Sequence, residues 1–152
     1  MNKKKELIIL TLLTLLPLVS ADFSIIVLPD TQKYSASYPA IFTKQTQWIA
    51  DNVDSMNIVF VTHVGDIVDT YNSTTQWNNA KASMSLLDNK VGYGISPSNH
   101  DISPQRETNF FNQYFPISMF PSAWYGGSYP TGKNDSSYQL FSADDTDYVI
   151  IH

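Results

Sequence analysis

The stretch NIVFVTHVGDIVD, from Asn57 to Asp69, predicts a buried strand and the polar loop that follows it. Its first eight residues are mostly apolar and rich in β-branched side chains, which is typical of a strand buried on both faces of a parallel sheet. Gly65 and Asp66 then end the apolar run, because both residue types favour turns. The stretch therefore places a carboxylate just beyond the end of a central strand.

The neighbouring segments predict the rest of this sheet. Phe23–Leu28 and Val91–Ser96 are short apolar runs that indicate two further strands. Pro39–Val53 has apolar residues at helical spacing, and Ser73 can cap a second helix whose apolar face comprises Trp77, Ala80, Met84 and Leu87. Strands that alternate with helices predict the α/β class, with a parallel sheet.

The last third of the chain differs in composition from the segments before it. Pro104–Phe115 predicts a short helix, and Pro116–Asn134 is rich in Pro, Gly, Ser and Tyr and predicts a loop. SSYQLFSADDTDYVIIH then predicts two strands joined by a turn at Asp144 and Asp145. The chain stops directly after the apolar run YVII, so we expect a domain over residues 22–152 that is incomplete at its C-terminus.

The first 21 residues predict a secretory signal peptide. MNKKK is basic, Leu7–Leu18 is apolar, and the small residues of VSA precede a cleavage site after Ala21. The alternative is a membrane anchor, but an apolar run of 12 residues (18 − 7 + 1) is shorter than the ~20 that a spanning helix needs. We therefore expect a secreted or cell-surface protein with no membrane span after signal cleavage.

Charge and cysteine content limit the classes of function. Without the signal peptide, 6 basic and 13 acidic side chains remain from the 9 and 14 of the whole chain, a net charge of about −7. Such a balance argues against a nucleic-acid surface. The chain has no cysteine, so any metal must be held by oxygen and imidazole ligands. Asn72 and Asn134 fit the short N-glycosylation pattern, which also recurs by chance.

Polar residues follow each of the three predicted parallel strands. Asp30 and Gln32 follow the first strand, Asp66 follows the second, and Asn99 and His100 follow the third. Taken alone, PDTQ at residues 29–32 is an ordinary turn after a strand. Ligands of open parallel sheets, however, bind beyond the carboxyl ends of the strands. Three successive strand ends with metal-capable donors therefore predict one shared cation site.

The residue types suit metal-assisted chemistry. Carboxylate and amide oxygens are ligands for hard or borderline divalent cations. His100 could act as a general acid for a leaving oxygen, and Asp101 could orient its imidazole. Asp69 is expected to brace the loop, and His63 to be a hydrogen-bonded histidine of the core or near the site.

PDTQ, GDIVD and SNHD, in this order, resemble the first three motifs of the calcineurin-like metallophosphoesterase family, written D-x-H, G-D-x-x-D and G-N-H-D. The resemblance implies a layered α/β/β/α sandwich. It also implies hydrolysis of phosphomonoesters or phosphodiesters by a metal-bound hydroxide at a two-metal site, with Mn, Fe or Zn as the metals. The partner would be a phosphoester substrate.

The family roles carry over position by position. Four residues would hold the two metal ions: Asp30, Gln32, Asp66, which would bridge them, and Asn99. His100 would assist catalysis near the leaving group, and Asp101 would support it.

The sequence departs from the family pattern in three ways. Gln32 stands where many members have a ligating His, and Ser98 replaces a Gly that suits a tight turn with positive φ. The later motifs, a single His and a G-H-x-H, are absent, and only His152 follows His100. Two other functions therefore stay open: a catalytically degenerate binding or adhesion domain on the same fold, and a sugar-binding module that uses Ca²⁺.

Overall fold

The computed structural model describes residues 23–152, so the expected signal peptide over residues 1–21 lies outside the described part. These residues form a mixed α/β structure with two three-stranded sheets. Its strands are β1 (Ser24–Leu28), β2 (Ile58–His63), β3 (Gly92–Ile95), β4 (Tyr125–Tyr129), β5 (Ser136–Ala143) and β6 (Thr146–Ile151). Its α-helices are α1 (Gln32–Ser37), α2 (Pro39–Asn52), α3 (Thr74–Met84) and α4 (Asn109–Tyr114), and Ser85–Leu87 and Ile117–Met119 form 3₁₀ turns.

The first sheet is parallel, in the order β1-β2-β3. Its helices α2 and α3 pack against each other, and the Phe42 ring of α2 lies 6.0 Å from the ring of His63 at the end of β2. Side chains alternate between the two faces of a strand, so Phe60 and Thr62 point to the opposite face. One face of this sheet is therefore covered by helices.

The second sheet, β4-β5-β6, is antiparallel and covers the other face of the first. The Phe60 ring stacks on Phe141 of β5 at 5.2 Å. The Thr62 hydroxyl lies 2.6 Å from Nε2 of His152, which directly follows β6. A Cβ at Gly94 would clash with the same imidazole, so the absence of a side chain there permits the contact.

The hydrophobic core lies between the helices and the parallel sheet and continues under α4. Trp77 is fully buried, stacks on Tyr114 at 5.7 Å, and donates its indole N–H to the carbonyl of Tyr71 at 2.7 Å. Ser73 caps α3 by accepting a hydrogen bond from the N–H of Gln76, as its position predicts. The core thereby anchors the loop between β2 and α3.

The predicted parallel strands, α2 and α3 are confirmed, and so is the turn of the β5–β6 hairpin. Asp144 and Asp145 have φ of +48° and +56°, which is the left-handed geometry of a two-residue hairpin turn. Two predictions are wrong: the loop predicted over residues 116–134 contains β4, and the helix predicted over residues 104–115 begins only at Asn109. α1 was not predicted, because six residues are too few to show a helical period.

The outer face of the second sheet is apolar. Tyr138 pairs with Ile151, and Leu140 pairs with Val149, and all four side chains are exposed. Their inward neighbours, such as Gln139, are buried against the first sheet. Within residues 23–152, no helix has the length and apolarity that crossing a membrane requires.

Candidate functional site at the carboxyl ends of the parallel strands

The three predicted loops start from one edge of the parallel sheet. Leu28, His63 and Ile95 are register partners in adjacent strands, so the chain leaves all three strands at the same level. Asp66 connects the loops: its carbonyl accepts the N–H of Thr31 at 3.1 Å, and its Oδ1 accepts the N–H of His100 at 3.0 Å. The loops after β1 and β3 are thus both bonded to one residue of the loop after β2.

Two successive left-handed residues turn the chain at Asp66. Gly65 has φ +93°, and Asp66 has φ +51°, a conformation that Asp tolerates better than most residues. A Cβ at Gly65 would lie only 2.6 Å from Cβ of Ser98 in the loop after β3. Glycine is therefore needed here both for its φ and for the close approach of the two loops.

Asp30 and Gln32 form a closed pair at the end of β1. The Asp30 carboxylate accepts the main-chain N–H of Gln32 and its side-chain amide, each at 2.8 Å. The amide oxygen of Gln32 is buried and has no hydrogen-bond partner among the described residues. A buried acceptor without a partner costs about 1–3 kcal/mol, a cost that a cation bound at this oxygen would remove.

His100 is held by backbone contacts that fix its tautomer. Its Nδ1 lies 2.9 Å from the carbonyl of Asp69. A carbonyl can only accept, so Nδ1 carries a proton and Nε2 is the nitrogen that titrates. This hydrogen bond raises the pKa of His100 above 6.5, helped by the carboxylates of Asp66, Asp69 and Asp101 and opposed by partial burial.

Asp101 does not orient the His100 imidazole, contrary to the expectation from sequence. Its buried Oδ1 accepts the N–H groups of Ile67 and Val68 at 2.8 and 3.0 Å, and its Oδ2 accepts the N–H of Ser98 at 2.9 Å. Burial raises the pKa of Asp101 to about 6, although these donors lower it. Asp101 therefore joins the loops after β2 and β3, and Asp69 provides the contact to the ring.

The position of Ser98 was expected to suit a glycine with positive φ, and the structure corrects this expectation. Ser98 does not have a positive φ, so the loop does not need glycine there. The glycine requirement lies instead at Gly65, which faces it. Asn99 is exposed, and its side-chain oxygen lies 3.4 Å from the Ser98 hydroxyl.

His63 is neutral and locked beneath the site, as the interpretation of a hydrogen-bonded near-site histidine predicts. Its Nδ1 accepts the N–H of Gly65 at 3.1 Å, so Nε2 carries the proton and donates to the Thr31 hydroxyl at 3.0 Å. Burial lowers the pKa of His63 to about 3. The Thr31 hydroxyl donates in turn to the carbonyl of Ile67 at 3.3 Å, a structural role that no sequence pattern indicated.

Among the three histidines of the chain, His100 alone has a ring nitrogen, Nε2, without a hydrogen-bond partner within residues 23–152. Both ring nitrogens of His63 are hydrogen-bonded, and those of His152 contact Thr62 and Gln139 at 2.6 and 2.7 Å. Residues 23–152 hold no group of three or more His, Asp or Glu side chains placed to bind a metal. The candidate donors are two carboxylates and two amides, from Asp30, Asp66, Gln32 and Asn99.

Donors of this type fit hard or borderline divalent cations, and the partnerless oxygen of Gln32 fits the same role. The chain thus belongs to the broad class of α/β structures that carry a polar site beyond the carboxyl ends of a parallel sheet.

The chain is similar to a protein of Bacillus subtilis (strain 168) that is named "Uncharacterized protein YvnB". The two are 41% identical over 133 residues, which is 86% of this chain and 10% of the relative. The chain therefore spans about a tenth of the length of this curated relative. No family model matches the chain, and no solved structure matches it.

Proposed function

We propose that this chain carries the strand-end site of a metal-dependent phosphoester hydrolase of the calcineurin-like type. The observation that carries the proposal is the double contact of Asp66, which bonds to the loop after β1 and to His100 in the loop after β3. The order of PDTQ, GDIVD and SNHD supports the same assignment.

Each residue of the site would have a separate role. Asp30, Gln32, Asp66 and Asn99 would hold two divalent ions, which when bound would supply Lewis-acid activation of the phosphoryl group. His100 would hold a proton at Nε2 for the leaving oxygen, because its Nδ1 is committed to the Asp69 carbonyl. Asp101 would keep the two loops in register.

The layer order supports the finer fold assignment. Helices, a parallel sheet and a second sheet follow one another from the Phe42 side to the Phe141 side of the molecule. This order corresponds to three of the four layers of an α/β/β/α sandwich. Export through the predicted signal peptide would place the enzyme outside the cell or on its surface, where a phosphoester is its substrate.

The test is hydrolysis of p-nitrophenyl phosphate and its bis ester by the full chain with added Mn²⁺, together with calorimetric titration of Mn²⁺. Asp66→Asn removes one charge but keeps an acceptor for the His100 N–H and tolerates positive φ. We expect this variant to lose Mn²⁺ binding and at least ~100-fold in kcat, and His100→Asn to lose ~10²–10⁴-fold in kcat while still binding Mn²⁺.

Asp144→Asn is the matched control, because Asp144 also has positive φ, at +48°, but lies in the β5–β6 turn. We expect this variant to match the wild-type chain in Mn²⁺ binding and in kcat. Activity that stays within twofold of the unchanged chain in both site variants would refute the proposal. An unchanged chain that neither binds Mn²⁺ nor hydrolyses either ester would favour the degenerate binding domain.

A further inference from the structure

A cleft of about 510 Å³ opens beside His100, between the loops that follow β2 and β3. Its lining includes Asn99, His100 and Arg106. Tyr71, Ile102 and Pro104 also line the cleft. The cleft is thus continuous with the candidate site but extends beyond its donors.

Three of the lining residues offer apolar contacts. Tyr71 is fixed from behind, because its ring packs edge-on against Phe110 with centroids 6.4 Å apart. Ile102 and Pro104 add two side chains without hydrogen-bonding groups. Clefts that combine apolar contacts with convergent polar groups are typical of binding sites for organic groups.

Arg106 is the single arginine of the whole chain. It is exposed, and it forms no ion pair with any carboxylate of residues 23–152. The carboxylate of Asp69, which also lines the cleft, is paired instead with Lys33 at 2.6 Å. Among the described residues, the Arg106 guanidinium therefore has no carboxylate partner, whereas the Asp69 carboxylate has a lysine partner.

A tight turn presents Arg106. Its N–H donates to the carbonyl of Ser103 at 2.8 Å, and the Ser103 hydroxyl accepts the N–H groups of Gln105 and Glu107 at 3.2 and 3.1 Å. Arg106 has φ +63°, a conformation uncommon for a residue of this type. The turn holds the main chain of Arg106 in a fixed place in the lining of the cleft.

We propose that this cleft takes the alcohol part of the substrate and that Arg106 binds an anionic group on it. Resting on the proposed hydrolase function, this assigns the substrate class as phosphoesters whose leaving group carries a second negative charge. His100 then lies at the scissile end, where the leaving oxygen must be protonated. A guanidinium matches carboxylate or phosphate oxygens with two parallel hydrogen bonds, a geometry that lysine lacks.

The kinetic test compares phenyl phosphate with 4-carboxyphenyl phosphate, which differ by one distal carboxylate. Arg106→Gly suits the positive φ, and Arg106→Lys keeps the charge without the planar fork. We expect Arg106→Gly to lower kcat/KM for 4-carboxyphenyl phosphate about tenfold more than for phenyl phosphate, and Arg106→Lys to fall between. Lys90→Gln, at the opposite end of the sheet, is the control and should leave the ratio of the two values unchanged.

A second readout does not depend on turnover. Because the chain has one arginine, ¹⁵N-arginine labelling gives a single assigned Nε–H signal. We expect this signal to shift on titration with 4-carboxyphenyl phosphate and to shift much less with phenyl phosphate, even in a chain that hydrolyses neither.

The outcomes separate the two proposals. An equal shift with both compounds would place Arg106 on the scissile phosphate and overturn the inference, as would no shift with either. A selective shift without hydrolysis would support the cleft and count against the hydrolase.

Discussion

Replacing Gly65 with alanine probes the contact between the loops after β2 and β3. Two costs add at this position. A residue with a Cβ at φ +93° is strained by about 1–3 kcal/mol. The new Cβ would also lie 2.6 Å from Ser98 Cβ, 3.1 Å from its nitrogen and 3.2 Å from the Ser96 carbonyl, and overpacking of this kind costs about 1–3 kcal/mol. We expect Gly65→Ala to lower the free energy of unfolding by about 2–6 kcal/mol.

A second glycine separates these two costs. Gly132 has a similar φ of +85°, but a Cβ there would meet no atom within 4 Å. Gly132→Ala therefore measures the strain alone, and the excess loss in Gly65→Ala measures the packing. Adding Ser98→Gly to Gly65→Ala removes the closest contact, so we expect a favourable coupling of about 1–2 kcal/mol between the two substitutions.

Urea unfolding followed by tryptophan fluorescence measures all of these free energies. The four chains needed are Gly65→Ala, Ser98→Gly, their double variant and Gly132→Ala. Equal losses in Gly65→Ala and Gly132→Ala, with additive effects in the double variant, would refute the close approach of the two loops.

Two further predictions concern the groups beneath the site. His63 is neutral when folded and titrates near 6.5 when unfolded, so the unfolded chain binds more protons between pH 6.5 and about 3, and stability should fall on acidification. In His63→Gln, the slope of unfolding free energy against pH should be smaller by about 1.4 kcal/mol per pH unit between pH 5.5 and 4.5; parallel slopes in the two chains would contradict the neutral, buried imidazole. Asp101→Asn turns an amide N–H₂ towards one of three main-chain donors, and we expect it to lower the free energy of urea unfolding by about 2–4 kcal/mol. The exposed turn variant Asp145→Asn is its control, and a loss below about 1 kcal/mol in Asp101→Asn would count against the bracing role.

The sequence was sufficient to predict that the loops after β1, β2 and β3 leave one edge of a parallel sheet. Buried parallel strands have a strong apolar signal, and the polar residues that end them lie together whenever the strands are adjacent. The roles within the loops could not be predicted in this way. Asp101 was expected to contact its sequence neighbour His100, but backbone geometry turns its carboxylate towards the N–H groups of residues 67, 68 and 98.

β4 and the cleft could not be predicted from the sequence for a different reason. Tyr125–Tyr129 contains two glycines and lies between two prolines, so its composition predicts a loop, and only pairing with β5 makes it a strand. Arg106 belongs to no motif. Its proposed role rests on its place in the lining of the same cleft as His100 and on the absence of a partner carboxylate among residues 23–152, which no local pattern encodes.

The apolar outer face of the second sheet affects how any of these measurements is made. Tyr138, Leu140, Val149 and Ile151 form one continuous patch on two paired strands, and a surface of this kind promotes self-association in water. Association of folded chains adds a stabilising contribution that grows with protein concentration. Free energies of unfolding for the variants are therefore comparable only at matched concentration, and a dilution series shows whether a given value belongs to one chain or to an assembly.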